Sequence, residues 1–210
     1  MYRVYYFFIK LIVNIAFTIS FRFKVEGMEN IPKNETFIYV SNHRTNADPP
    51  LVLCRCRGLF AIMAKEELFR NKLFAKLIRS LGAYPVSRGK GDTTVIDTAL
   101  EKLEKGSNFL IFPEGTRSKD GKVHRGHSGA AVISARSGKR IIPVGVVFGD
   151  KLKFRTKVTV KYGKPIDPSE YIDDFTNPNP RQLVKLKNRY MDEIKLLVEG
   201  ESESKESRNE

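Results

Sequence analysis

Residues 36–50 read TFIYVSNHRTNADPP, and this stretch joins a candidate core strand to the richest polar loop of the chain. The run at 36–40 is short and apolar, which predicts a buried strand. Polar side chains follow it immediately, at the carboxyl end of a strand, where α/β sheets place their ligand sites. The pattern therefore predicts a functional loop directly after this strand.

Apolar runs of strand length alternate with helically spaced runs through the rest of the chain. Strands are predicted at 59–64, 83–86, 109–112, 140–148 and 158–162, and helices at 66–80, 93–105, 129–136 and from 180 onward. The length of 210 residues fits one domain. The alternation predicts the α/β class, with residues 25–200 forming a single-domain sandwich whose mixed sheet is covered by helices.

Single residues mark the ends of these elements. Gly82 and Gly106 each follow a predicted helix and indicate its C-terminal end. Asp92 is a predicted helix N-cap, and Pro85 favours an edge strand or a strand end because it lacks a backbone N–H. The tail at 201–210 is rich in Ser, Glu and Lys, so we expect it to be disordered.

The amino-terminal segment, residues 1–24, is the most apolar part of the chain. A helix over 5–21 would be about 25 Å long at ~1.5 Å per residue, against a bilayer core of ~30 Å. We therefore favour a helix at the membrane surface that lies in one leaflet, with Arg3, Lys10 and Arg22 reaching the headgroups. A spanning helix and a buried first helix of the core remain open alternatives.

The formal charge of +13 indicates an anionic partner, which could be nucleic acid, anionic lipid or a phosphorylated substrate. The sequence contains no zinc-finger spacing and no RNA-recognition signature. Its aromatic residues cluster at the apolar amino terminus. We therefore expect an anionic membrane surface as the partner and no nucleic acid.

Cysteine and histidine spacing gives little support for a disulfide or a metal site. Cys54 and Cys56 are two residues apart, so a disulfide between them would be strained. We expect both to be reduced thiols in a cytosolic domain. His124 and His127 could share a helix face, but no third ligand is evident nearby, and no metal site is predicted.

His43 and Asp48 are five residues apart in the loop after the first core strand. A curled loop would let Asp48 accept a hydrogen bond from His43, and Asp48 before Pro49 also fits a helix N-cap. A histidine oriented by a carboxylate can act as a general base. The alternative is that His43 is a structural loop histidine and Asp48 only caps a helix.

A second polar turn, FPEGTRS at 112–118, also follows a buried strand. Arg117 offers a planar fork that matches phosphate or carboxylate. Gly115 lets the backbone approach a ligand closely, and Glu114 could orient Arg117 or hold the glycerol part of an acceptor. The alternative is an ordinary β-turn with surface charges.

These two motifs resemble the first and third signature blocks of the 1-acylglycerol-3-phosphate acyltransferase (PlsC) family. GAYPVSR at 82–88 resembles the second block, and IIPV at 141–144 resembles the fourth. AKEEL at 64–68 matches a further recurrent stretch. The resemblance covers about residues 25–166. VHRG at 123–126 departs from the family pattern, which often has an aromatic residue and a lysine before the glycine.

The resemblance implies a glycerolphosphate-acyltransferase-like sandwich with an amino-terminal helical motif seated in one leaflet. It implies acyl transfer from acyl-CoA or acyl-carrier protein, as co-substrate and without a cofactor, to the 2-hydroxyl of 1-acylglycerol 3-phosphate. The product would be phosphatidate, in phospholipid biosynthesis. The protein would be peripheral or monotopic, with its catalytic domain on the cytoplasmic face of the membrane.

The resemblance also assigns roles to individual residues. His43 would be the general base and Asp48 its orienting partner. The predicted substrate-binding residues are Lys65, Arg88, Glu114, Gly115, Thr116, Arg117 and Pro143. Two alternatives remain open: an acyltransferase for another acceptor, such as glycerol 3-phosphate or another lysolipid, and a basic membrane-binding protein without catalysis.

Overall fold

The computed structural model of the chain describes residues 2–86 and 93–200. Within these ranges the helices are α1 (Tyr2–Ser20), α2 (Asp48–Leu53), α3 (Lys72–Ser80), α4 (Thr93–Glu104), α5 (Gly129–Ser137) and α6 (Pro180–Glu199). The strands are β1 (Arg22–Glu26), β2 (Ile38–Ser41), β3 (Phe60–Lys65), β4 (Ala83–Val86), β5 (Asn108–Ile111), β6 (Ile141–Val147) and β7 (Lys157–Tyr162). The predicted site residue Arg88, the predicted N-cap Asp92 and the tail at 201–210 lie outside the described residues.

The strands form one sheet in the order β1-β7-β6-β2-β5-β3-β4. Strands β2 to β6 are mutually parallel, β7 runs antiparallel to β6, and β1 pairs with β7 in parallel. This mixed sheet confirms the predicted α/β class. Strand β4 lies at the edge of the sheet, as Pro85 predicts.

Helices cover both faces of the sheet. The apolar cluster on one face includes Leu51 and Val52 of α2, with α1 packed against it. The cluster on the other face includes Leu103 of α4, Ile133 of α5 and Tyr190 of α6. The carboxyl ends of β2, β5, β3 and β6 therefore share one edge between these two layers, which we call the candidate-site edge.

Two boundaries differ from the prediction. The segment at 66–80 is a 3₁₀ helix, Glu66–Phe69, followed by α3, because the Asn71 side chain accepts from Phe74 N and caps a new helix there. The sheet also begins earlier than residue 25, since Arg22–Glu26 forms β1. Phe23 and Val25 of β1 pack on the core, in the alternating pattern of a strand. This alternation is hard to see in the sequence because the preceding segment is mostly apolar.

Helix α1 docks on the sandwich along one narrow stripe. Tyr6 and Lys10 are buried there, and the Lys10 ammonium donates to the Cys56 carbonyl at 2.5 Å. Burial lowers the pKa of Lys10. The prediction that Lys10 reaches lipid headgroups is therefore wrong, because this side chain faces the domain.

The rest of α1 is apolar and exposed. Its exposed residues are Val4, Tyr5, Phe7, Phe8, Leu11, Ile12, Ile15 and Ile19. By length and composition alone, Arg3–Ser20 could also cross a membrane. A helix with one docked stripe and one broad exposed apolar face nevertheless fits the predicted surface orientation.

We predict that Gly82→Ala destabilises the fold far more than Gly106→Ala. Both glycines have positive φ, 88° and 77°. A Cβ at Gly82 would lie 1.8 Å from the Phe60 carbonyl oxygen, whereas one at Gly106 would meet no atom within 4 Å. Gly106→Ala should cost about 1–2 kcal/mol. Gly82→Ala should cost at least about 3 kcal/mol, because β3 and β4 must separate. Urea unfolding measures both, and equal losses would contradict the clash.

Candidate active site

Two polar loops meet at the candidate-site edge. One follows β2 and carries His43, and the other follows β5 and carries Glu114. Their backbones are joined directly, because Ser118 N donates to His43 O at 2.7 Å. Since β2 and β5 are neighbours in the sheet, the two motifs predicted from sequence form one site.

Asp48 is fully buried, and several donors surround its carboxylate. Oδ2 contacts His43 Nδ1 at 2.8 Å and accepts from Arg44 N at 2.6 Å and from Thr45 N at 2.8 Å. Oδ1 accepts from the Thr45 hydroxyl at 2.9 Å. The carboxylate therefore fixes the whole loop around the imidazole as well as the imidazole itself.

The predicted N-cap role of Asp48 is wrong in detail. Helix α2 begins at Asp48, with Ala47 at the cap position and no side-chain cap hydrogen bond. The carboxylate instead turns back to the loop amides that precede the helix. Proline in the first turn removes an amide that would otherwise need an acceptor, which is consistent with this arrangement.

The His43 ring is held on two sides. Nδ1 faces Asp48, and the ring stacks on Phe112 with centroids 4.2 Å apart and planes at 22°. Asp48 fixes the tautomer with hydrogen on Nδ1, which leaves Nε2 as an acceptor. Nε2 has no hydrogen-bond partner among the described residues, and the side chain is 19% exposed. Phe112 was not singled out from sequence, although it opens the second motif.

Glu114 is buried, and both of its carboxylate oxygens are occupied. Oε1 accepts from His43 N at 3.1 Å, and Oε2 accepts from His124 N at 3.0 Å. The expectation that Glu114 orients Arg117 is therefore wrong. Glu114 instead ties the His43 backbone to the segment after the second motif.

Arg117, Gly115 and Thr116 lie exposed on the turn after β5. The Arg117 guanidinium donates through Nη1 to Asn46 Oδ1 at 3.2 Å, which links the second motif to the first. The side chain is otherwise exposed at the same edge, as an anion-binding group requires. Gly115 has a φ of 69°, a left-handed conformation that explains the choice of glycine.

The structure does not bring every predicted residue to this point. Lys65 ends β3 on the same edge, exposed and separated from β2 by β5. Pro143 is buried within β6, and its ring lies against Gly163. Pro143 therefore packs inside the domain instead of lining the space beside His43.

Arg44, next to His43, binds a loop that the sequence analysis did not connect with the site. Its guanidinium lies over the Phe148 ring at 4.0 Å and donates to the Phe148 carbonyl at 2.6 Å and the Gly149 carbonyl at 3.1 Å. The segment after β6 is thereby attached to the His43 loop. Only a long-range contact reveals this role, because arginine is an ordinary residue in a polar loop.

Within residues 2–86 and 93–200, no three His, Cys, Asp or Glu side chains are grouped to hold a metal ion. His124 contacts Asp120 at 2.8 Å. Hydrogen bonds from Ser118 and His124 lower the pKa of Asp120 to about 2. Cys54 and Cys56 are free, and burial raises the pKa of each thiol to about 11, so both are protonated at neutral pH.

Comparison with known proteins agrees with this geometry. A family model described as Acyltransferase matches residues 22–147. A 1-acyl-sn-glycerol-3-phosphate acyltransferase of Streptococcus pneumoniae is 32% identical over 205 residues, which are 94% of this chain and 74% of that protein. A chloroplastic enzyme of the same name, LPAT1 of Arabidopsis thaliana, is 28% identical over 71% of this chain and 43% of its own length.

A solved structure is also similar. The 1-acyl-sn-glycerophosphate (LPA) acyltransferase PlsC from Thermotoga maritima matches with a TM-score of 0.74 and 31% identity. The match covers 92% of this chain and 78% of that one. These findings confirm the resemblance drawn from the sequence motifs and the sandwich fold that it implies.

We predict that Glu114→Gln destabilises the protein by about 1–3 kcal/mol, because one of its two partner amides would face an NH₂ group instead of an acceptor. Urea unfolding measures the loss. The matched control is Glu67→Gln, an exposed residue whose change should stay within about 0.5 kcal/mol. Equal stability of the two variants would contradict the bracing role of Glu114.

Proposed function

The chain belongs to the acyltransferase family that includes the 1-acyl-sn-glycerol-3-phosphate acyltransferases, and we propose that it acylates the 2-hydroxyl of 1-acylglycerol 3-phosphate to give phosphatidate. The observation that carries the proposal is the 2.8 Å contact between His43 Nδ1 and buried Asp48, which leaves Nε2 as the basic atom. A base of this kind needs a substrate that brings its own nucleophile, and a lysolipid hydroxyl is such a group.

In the proposed reaction, His43 Nε2 takes the proton of the acceptor hydroxyl as its oxygen attacks the thioester carbonyl. The new C–O ester bond forms, the C–S bond breaks, and the proton passes from His43 to the departing thiolate. Asp48 stabilises the imidazolium that exists between these steps. Such a general base contributes about 10²–10⁴-fold in rate.

The acceptor phosphate is assigned to the basic side chains of the candidate-site edge. Arg117 is exposed there and tied to Asn46 by one donor only. Lys65 ends a strand on the same edge, and Arg88 is assigned to the phosphate by the family resemblance. Thr116 and Gly115 border the same space. Binding the phosphate away from the reacting atoms orients the hydroxyl towards His43.

The exposed apolar face of α1 and the lipid-biosynthetic relatives support membrane association. We place the protein at the surface, monotopic or peripheral, with the catalytic domain on the cytoplasmic face. Acyl-CoA or acyl-carrier protein serves as the donor. Both donors and an anionic bilayer suit the formal charge of +13.

We predict that purified His43→Ala loses about 10²–10⁴-fold in kcat, because the hydroxyl loses its base. The measurement is an acceptor panel of lysophosphatidate, glycerol 3-phosphate and lysophosphatidylcholine, each with acyl-CoA and acyl-carrier protein. The unaltered chain should prefer lysophosphatidate. The matched control is His124→Gln, a half-exposed histidine whose change should leave turnover within a few-fold.

Each outcome of the panel has a clear reading. Near-normal turnover by His43→Ala rules out the general-base scheme. Preference for glycerol 3-phosphate or lysophosphatidylcholine corrects the acceptor. Absence of thioester consumption with every acceptor contradicts the proposed reaction and supports a basic membrane-binding protein without catalysis, whereas consumption that no acceptor stimulates is hydrolysis and contradicts acyl transfer.

We predict that Arg117→Lys raises the KM for the phosphorylated acceptor about tenfold, because an ammonium cannot copy the guanidinium fork. Steady-state kinetics with lysophosphatidate measure it. Arg181→Lys, exposed on α6, is the matched control and should change neither KM nor kcat. Unchanged KM and kcat for Arg117→Lys would count against its phosphate role.

A further inference from the structure

One loop at the candidate-site edge exposes an aromatic ring among positive charges. We call residues 149–156, between β6 and β7, the edge loop. Phe154 in this loop is 74% exposed. Lys151, Lys153 and Arg155 are exposed around it, while Leu152 packs on the core. A single exposed ring is common on protein surfaces, so a contact outside the chain is indicated only by what lies beside Phe154.

The edge loop is bonded to the end of α1. Arg155 N donates to the Ser20 carbonyl at 2.6 Å, and Arg22 N donates to the Thr156 carbonyl at 2.9 Å. Arg155 has a φ of 64°, which a non-glycine residue adopts only when its surroundings hold it. Phe154 therefore stands beside the carboxyl end of α1, where the exposed apolar face of the helix ends at Ile19.

The edge loop is also hydrogen-bonded to the His43 loop, which lies between β2 and α2. Arg44 stacks on Phe148 and donates to the carbonyls of Phe148 and Gly149. Arg44 N is in turn bound to Asp48, the partner of His43. A short, continuous chain of contacts thus joins the edge loop to the proposed base.

We propose that the edge loop is a second membrane contact, in which Phe154 inserts into an anionic lipid layer while Lys151, Lys153 and Arg155 bind its headgroups. The contact fixes the height of His43 above the lipid. This inference rests on the proposed function, since it brings the base to an acceptor that stays in the membrane. A cluster of basic residues around one apolar side chain is complementary to a bilayer of anionic lipids.

Lipid is favoured over an acidic protein such as an acyl carrier, although both would attract the same charges. The reason is continuity: Phe154 adjoins the α1 face that carries Ile15 and Ile19, which are also exposed. A protein that covered Phe154 alone would leave that face unaccounted for, whereas one lipid layer covers both.

The chain contains no tryptophan, so Phe154→Trp creates a unique fluorescent reporter at the tip of the loop. With vesicles of phosphatidylglycerol, we expect its emission to move to shorter wavelength and to be quenched by lipids brominated on their acyl chains. Vesicles of phosphatidylcholine should give a smaller effect, because the headgroups lack the net charge. The readout needs no turnover, so it stands apart from the test of the proposed reaction.

Phe175→Trp is the matched control. Phe175 is also an exposed aromatic residue, at 36%. It lies in the segment after Ile166, and Ile166 pairs with Ile141 at the amino end of β6. That is the opposite edge of the sheet. Its emission should not change when vesicles are added.

Three fluorescence outcomes would overturn the proposal. They are unchanged emission from the Phe154→Trp variant when it is bound to vesicles, an equal response from the Phe175→Trp control, and a response of Phe154→Trp to acyl-carrier protein without lipid. Failure of the protein to sediment with vesicles would overturn it as well.

Catalysis gives a second and independent readout. Phe154→Ser should lower the ratio of turnover with vesicle-embedded lysophosphatidate to turnover with a short-chain, monomeric one, by roughly tenfold. An unchanged ratio would contradict the proposal. Equal loss with both acceptors would point to damage at the catalytic site and would contradict it too. Absence of turnover in the unaltered chain would instead contradict the proposed function while the fluorescence result stood.

Discussion

A buried carboxylate costs free energy unless donors surround it, and the candidate site is organised around one such group. Asp48 is fully buried and receives hydrogen bonds from two backbone amides, one hydroxyl and the His43 imidazole. The loop between β2 and α2 can satisfy that charge only in the curled form that presents Nε2 outward. The same interaction therefore stabilises the loop and orients the imidazole that we propose as the base.

Glu114, in the loop after β5, is a second buried carboxylate surrounded by donors. Its two oxygens hold backbone amides from two different segments, so it fixes the distance between the motif after β2 and the motif after β5. Ser118 adds a backbone bond across the same gap. The proposed chemistry thus depends on His43 and Arg117, which lie on loops that these hydrogen bonds hold together. Such preorganisation leaves little to rearrange when a substrate binds.

Sequence reasoning predicted those parts of the fold that local pattern determines. The β2–loop–α2 stretch, the edge position of Pro85 and the start of α6 at Pro180 all follow from periodicity or from the chemistry of single residues. The 3₁₀–α3 break at Asn71 was missed, because one capping amide outweighs an uninterrupted apolar pattern. Lys10 was misplaced for a related reason. Hydropathy treats a lysine in an apolar helix as solvated, whereas here the Cys56 carbonyl accepts a hydrogen bond from the Lys10 ammonium. The functions of Glu114 and Arg44 depend on contacts distant in sequence, which no local pattern encodes.

Only Phe21 separates the end of α1 from the start of β1, and the Ser20 carbonyl is bonded to the strand's neighbouring loop. The connection between the helix and the sheet is therefore short and braced by a hydrogen bond. In the proposed membrane contact, an inclination that the lipid imposes on α1 is transmitted to the sandwich. Bilayer curvature and thickness would then alter the orientation of the His43 imidazole relative to the lipid.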